Sequence, residues 1–261
     1  MKSNSIKSKL QAGGVSIGTF MFEFDTTGIG RIASEAGAEF AVFDMEHTGW
    51  SMETIRMLVA TSRSTEMLPI VRIPTTEYHF IARVLDMGAT GIMVPMVESV
   101  EQAQRIVDSA KYPPTGRRGA AFCIAHDDYS NGDIVEKINF ANNEGILIAQ
   151  IETVAGVANA DAIAAVEGID VLWIGHFDLT SSLGIPGQFE HPKFKAAVDT
   201  VLAACRSHGK IPGFLAGDVA TGRDVLNQGF RMIAYGGDLW LYQAALRRGI
   251  CELNDHLAAG R

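Results

Sequence analysis

The chain has little cysteine and no cysteine motif. Of its 261 residues only Cys123, Cys205 and Cys251 are cysteine, and none belongs to a CxxC pair. That usage excludes a zinc ribbon, gives no basis for a disulfide framework, and leads to the expectation of a reduced, cytoplasmic setting. Long apolar runs are also missing: no stretch of about 18 apolar residues occurs, so no membrane-spanning helix is expected. The polar, basic opening segment 1–11 does not read as a signal peptide. Excess positive charge is absent as well. The formal net charge is −8, and the only adjacent basic residues are Arg117-Arg118 and Arg247-Arg248. Binding to a nucleic-acid backbone, which needs concentrated positive charge, is therefore not expected.

What is present is a repeated alternation. Short β-rich runs occupy 16–22, 40–43, 69–73, 91–94, 146–151, 171–174, 211–214 and 231–234, and segments of helical period fill 27–36, 51–62, 78–87, 100–110, 156–165, 192–208 and 219–228. Strand–helix alternation of this length predicts an α/β fold, a right-handed (β/α)₈ TIM barrel formed as one domain over 1–261. Two segments depart from the repeat. The connection 111–143, with Pro113-Pro114 and Gly116-Arg117-Arg118-Gly119, is placed on the fourth strand's outgoing path and is expected to cover the catalytic mouth. The tail 239–261 is a helical extension with Trp240, Leu241, Tyr242, Ala245 and Leu246 at helical spacing. Either its own barrel or a neighbouring subunit buries that face.

Barrel enzymes carry their chemistry at the C-terminal ends of the strands. Asp44, Glu46 and His47 follow the second run, Arg72 ends the third, Gln150 and Glu152 end the fifth, and His176 and Asp178 follow the sixth. Glu152 and Asp178 lie at adjacent strand ends and are the candidate ligands of a divalent cation, with Gln150 on the same strand face. For either acid alone a surface or capping role is the alternative. Oxygen donors without cysteine or a histidine pair favour Mg²⁺, Mn²⁺ or Co²⁺ over zinc. Arg72 ends an apolar strand and needs an oxyanion, or else a salt bridge to Asp44 or Glu46. His47 titrates near neutrality and suits proton transfer if a carboxylate holds its ring. Asp86 reads as a surface charge at a helix end on the far side of the barrel. No lysine sits at a strand end to form a Schiff base, and no GxSxG elbow is present, which leaves metal-assisted carbonyl chemistry.

Taken in order, Phe43-Asp44-Met45-Glu46-His47, Val71-Arg72-Ile73-Pro74, Gly91-Ile92-Met93-Val94-Pro95-Met96-Val97-Glu98, Gly116-Arg117-Arg118-Gly119, Gln150-Ile151-Glu152-Thr153 and Gly175-His176-Phe177-Asp178-Leu179 resemble the HpcH/HpaI aldolase family across nearly the whole chain. These are the metal-dependent class II pyruvate aldolases related to citrate lyase β-subunits. The resemblance implies reversible joining of a 2-oxo acid enolate to an aldehyde. It assigns Glu152 and Asp178 to the metal and Arg72 to the donor's keto oxygen and enolate. His47 becomes the acid/base, Asp44 orients the same network, and the backbone around Gly175, Phe177 and Asp178 cradles the donor carboxylate. It also implies a homo-hexamer with terminal helices swapped between subunits and Asp86 supporting a neighbour's histidine.

Many relatives have proline where this chain has His176. An extra imidazole there suits hydroxypyruvate as donor, or else only packs. Two other readings stand beside the aldolase: an acyl-CoA lyase, for which Arg117-Arg118 is the only hint of a basic groove, and a catalytically silent barrel that binds a 2-oxo acid.

Overall fold

The computed structural model describes residues 1–259, so Gly260 and Arg261 at the end of the expected tail lie outside the described residues. Eight parallel strands close in sequence order into a barrel: β1 Ser16–Met21, β2 Phe40–Asp44, β3 Leu68–Arg72, β4 Gly91–Val94, β5 Ile146–Ile151, β6 Val171–Ile174, β7 Ile211–Ala216 and β8 Met232–Gly237. All eight predicted strands are present, and β4, β5 and β6 have the predicted limits. The helix read over 156–165 is instead two short ones, Val154–Ala158 and Ala160–Ala164, broken at Asn159, whose side chain donates to the Glu98 carbonyl.

Side chains alternate across each strand, so one parity points into the barrel and the other toward the helices. The inward set forms its own buried cluster, including Phe40 and Val42, Leu68 and Ile70, Ile146 and Ile148, and Val171 and Trp173. Continuing each parity to the strand tops reaches Asp44, Arg72, Gln150 then Glu152, and Gly175. The rule that fills the core with apolar side chains thus delivers polar ones to a single rim. The outward set packs in a second cluster against the surrounding helices, with Ile55, Leu58, Ile106, Ile163 and Val201 among the buried contributors.

The barrel floor is closed by a helix that the composition of 1–11 had concealed. Asn4 caps Ser5–Gln11 by accepting from the Lys7 N–H, and Ile6 and Leu10 enter the interior cluster. Lys7 Nζ donates to Asp170 at 3.1 Å.

The connection 111–143 does not cover the mouth of its own barrel. It leaves the end of the Val100–Ala110 helix, which has already carried the chain back down to the floor, and it contains a further helix, Ile134–Glu144. Its contacts are floor contacts: Asp128 pairs with Arg63 at 2.6 Å and with the N-terminal amine at 3.2 Å, and Glu144 accepts from the Asn4 N–H at 2.5 Å. The segment follows the returning helix and not the strand, and so emerges at the face opposite the one expected.

Trp173 on β6 pairs in register with Gly213 on β7, and a Cβ at 213 would lie 2.2 Å from the indole. Gly213→Ala is expected to cost about 1–3 kcal/mol through overpacking, measured as a lowered urea midpoint with an unchanged slope.

Candidate active site

The strand tops surround a cavity of about 710 Å³ at the C-terminal face. At its base lies Arg72, 7% exposed. Its Nε donates to Asp44 Oδ1 at 2.6 Å, and Nη1 lies 3.1 Å from Glu46 Oε2. The guanidinium also stacks over Phe20, 5.2 Å from the ring centroid. Both salt bridges considered for Arg72 are therefore made, and the residue still lines the cavity.

Asp44, fully buried, is the hub of the turn that follows β2. Beyond Arg72 it accepts from the backbone N–H of Glu46 at 3.1 Å and of His47 at 3.0 Å. Thr48 Oγ1 donates to its carbonyl at 2.5 Å. These bonds fix the His47 backbone while leaving the imidazole in the cavity, with Nε2 3.7 Å from Glu46 Oε2. Asp44 thus acts on His47 through the main chain, and the carboxylate beside the ring belongs to Glu46.

Behind Gln150 and Gly175, which line the cavity, lies Glu152, 1% exposed. Gln150 Nε2 donates to its Oε2, and the backbone N–H of Met96, a residue with φ 53°, donates to Oε1 at 2.7 Å. Burial pushes the Glu152 carboxyl up to about 7; those two donors oppose the shift, while Glu46 and Asp178 add to it. Burial likewise raises Glu46 to about 7, with Arg72 opposing and Asp44 and Asp178 reinforcing. Asp178 is exposed in the first turn of the His176–Ser182 helix and lines the same cavity.

The donor chemistry suits a hard divalent cation. Three carboxylates repel one another around one space, and the buried Gln150 Oε1 lacks a hydrogen-bond partner. Gly175 makes the space: a Cβ there would sit 2.1 Å from Glu152 Oε2. Among the described residues no three acidic, histidine or cysteine side chains close on one point. A set of one or two carboxylates leaves positions for water and substrate, as Mg²⁺-type sites do.

Not every predicted residue meets here. Asp86 ends the Tyr78–Asp86 helix on the floor side and pairs with Arg118, whose Nη2 donates to Oδ1 at 2.6 Å. Arg118 is buried over Tyr112, and Arg117 faces an outer groove, so neither residue supplies the cavity with a basic lining for a nucleotide tail. His176 stacks on Phe214 with centroids 5.0 Å apart at 20°, and burial depresses its pKa to about 4, so it enters the site neutral. Glu46, read from the sequence as a rim acid and an alternative partner of Arg72, is that partner here, because the Asp44 turn folds it back toward the guanidinium. The Met96 N–H carried no sequence signal, since a positive φ at a non-glycine residue is set by its surroundings.

The arrangement has counterparts of known kind. The 5-keto-4-deoxy-D-glucarate aldolase of Klebsiella pneumoniae subsp. pneumoniae is 33% identical over 245 residues, 94% of each chain. The hydroxypyruvate/pyruvate aldolase of Pseudomonas aeruginosa is 32% identical over 244 residues, 94% of this chain and 90% of that one. The solved HpcH/HpaI aldolase from Desulfitobacterium hafniense DCB-2 superposes with a TM-score of 0.91 at 34% identity, covering 95% of both chains. The family model for HpcH/HpaI aldolase/citrate lyase matches residues 20–245, from the first inward phenylalanine of β1 into the last helix. Barrel, rim and sequence therefore agree, and the chain belongs to the HpcH/HpaI aldolase/citrate lyase family.

Proposed function

We propose that this protein is a divalent-metal-dependent class II aldolase that reversibly joins the enolate of a 2-oxo acid, pyruvate or hydroxypyruvate, to an aldehyde. One observation carries the reading: the buried Glu152, beside which Gly175 keeps room, is coupled by charge to Glu46 and to Asp178, and Asp178 lines the same cavity as the Arg72 guanidinium. Glu152 and Asp178 hold the cation. When bound, it supplies Lewis-acid polarisation of the donor's carbonyl.

Arg72 does the charge work of the chain itself. Nε and Nη1 are committed to Asp44 and Glu46, and Nη2 is left to hold the donor oxygen as negative charge develops there. Gln150 fixes the Glu152 carboxylate, and the backbone from Gly175 through His176 and Phe177 to Asp178 receives the donor carboxylate. In the cleavage direction His47 takes the proton of the hydroxyl whose carbon–carbon bond breaks; in synthesis it returns that proton. His176, neutral and flat against Phe214, borders the donor and suits the hydroxyl of hydroxypyruvate.

The working form is a homo-hexamer in which the partner subunit's Asp86 supports His47. Helix Asp238–Ala259 favours assembly: only Asp238 is buried, and Leu246, Ile250, Leu253 and Leu257 line one exposed stripe. No helix among the described residues is long and apolar enough to cross a membrane, which leaves another protein surface as the cover.

Retro-aldol activity is expected to fall about 100-fold or more on chelation and to return with Mn²⁺, Co²⁺ or Mg²⁺; full turnover in a metal-free preparation would refute the mechanism. Arg72→Lys should lower kcat by about 10²–10³, because an ammonium cannot reach both carboxylates and the donor. Wild-type exchange of the donor's C3 protons in this variant would rule Arg72 out as enolate stabiliser. The Leu246→Glu/Leu253→Glu double variant should sediment as a smaller species while keeping its far-ultraviolet spectrum; an unchanged mass would exclude this helix from the interface.

A further inference from the structure

All three tryptophans of the chain, Trp50, Trp173 and Trp240, line the active-site cavity. Trp173 and Trp240 belong to one aromatic run. Trp173 meets Phe20 edge-on at 5.9 Å, Phe20 stacks on Phe22 at 5.4 Å and 14°, and Phe22 meets Trp240 at 5.0 Å. The run begins beneath the Arg72 guanidinium, which lies over Phe20 and Phe22, and ends at the rim, where Trp240 is 45% exposed.

The outer part of this wall is a built feature. Asp238 accepts from the backbone N–H groups of Phe22, Glu23 and Phe24 at 3.0, 3.0 and 2.7 Å, clamping the loop after β1 to the start of the last helix. Gly237 permits the closure, since a Cβ there would lie 2.9 Å from both Phe22 and Trp240. Leaving large aromatic faces in water at a cavity mouth forfeits burial that a ligand can restore.

Charge points the same way. Among the described residues Arg72 is the only lysine or arginine lining the cavity, and it is already shared between Asp44 and Glu46. The charged residue beside the outer wall is Glu23. A carboxylate carried on the acceptor would meet repulsion from Glu23 there and find no unshared lysine or arginine of this chain.

We infer that the acceptor is an uncharged aldehyde with an aromatic or extended apolar body, bound along the Phe22–Trp240 wall, and not a carboxylated aldehyde. The inference rests on the aldolase reading and names the substrate class of that same site. In the reaction the donor's C3 loses a proton, the new bond forms between C3 and the aldehyde carbon, and the aldehyde oxygen takes up a proton to become the hydroxyl. No oxidant or reductant is required.

The test compares benzaldehyde, 4-carboxybenzaldehyde and succinic semialdehyde as acceptors for pyruvate with the Mn²⁺-loaded enzyme. Exchange of pyruvate methyl protons in D₂O is followed separately, because it reports enolate formation without an acceptor. The expected kcat/KM for benzaldehyde exceeds that for either carboxylated aldehyde by about tenfold or more. Trp240→Ala should lower the benzaldehyde value by about three- to tenfold and Trp240→Phe should largely retain it. Glu23→Lys, at an exposed position, should raise the 4-carboxybenzaldehyde value by about two- to fivefold. Normal proton exchange with a carboxylated aldehyde preferred, or with selectivity untouched in both Trp240→Ala and Glu23→Lys, overturns the acceptor assignment alone. Absent proton exchange overturns the aldolase reading and the acceptor assignment with it.

Discussion

A guanidinium that scarcely touches water organises this molecule's mouth. Burying Arg72 at the top of β3 is tolerable only because Asp44 and Glu46 meet it and two phenylalanine rings lie beneath it. Each neighbour is thereby committed. Asp44, engaged by Arg72 and by two backbone N–H groups, stiffens the turn that presents His47. Glu46, folded inward, adds its charge to those of Glu152 and Asp178 on the same rim. Such a pair contributes less to stability than to specifying one arrangement of the rim, since its desolvation offsets much of its attraction.

The barrel was legible because its two periods are strong. Runs such as 146–149 and 171–174 are apolar throughout, as strands buried on both faces must be. The rim was legible for the same reason: period-two continuation from Phe40, Leu68 and Ile146 reaches Asp44, Arg72 and Glu152. What escaped reading depends on contacts distant in sequence. The helix Ser5–Gln11 looks polar in isolation, and only closure of the barrel makes a cluster for Ile6 and Leu10. The face of 111–143 depends on which end of the preceding helix releases it. Gln150 was already legible beside Glu152 on one strand face, whereas the second donor, the Met96 N–H, comes from 56 residues away.

Glycine at 175 and 237 shows how much of the site is defined by missing atoms. Both stand at strand tops, where a side chain would strike Glu152 in one case and the paired aromatics in the other. The first keeps space beside an acid, the second lets Phe22 and Trp240 close. Neither function is visible in a residue type that is also common in turns; each emerges only when the eight strand ends are drawn into a ring.

The floor helix has a consequence for how the chain reaches this state. Its anchors lie far downstream: Asn4 bonds to Glu144, 140 residues on, and Lys7 to Asp170, 163 residues on. This segment must therefore wait for the chain around β5 and β6 before it can seal the interior. Contacts of such separation slow folding, because the intervening chain must be closed before they stabilise anything. Until then Ile6 and Leu10 remain uncovered, and the growing barrel is open at the end opposite its chemistry.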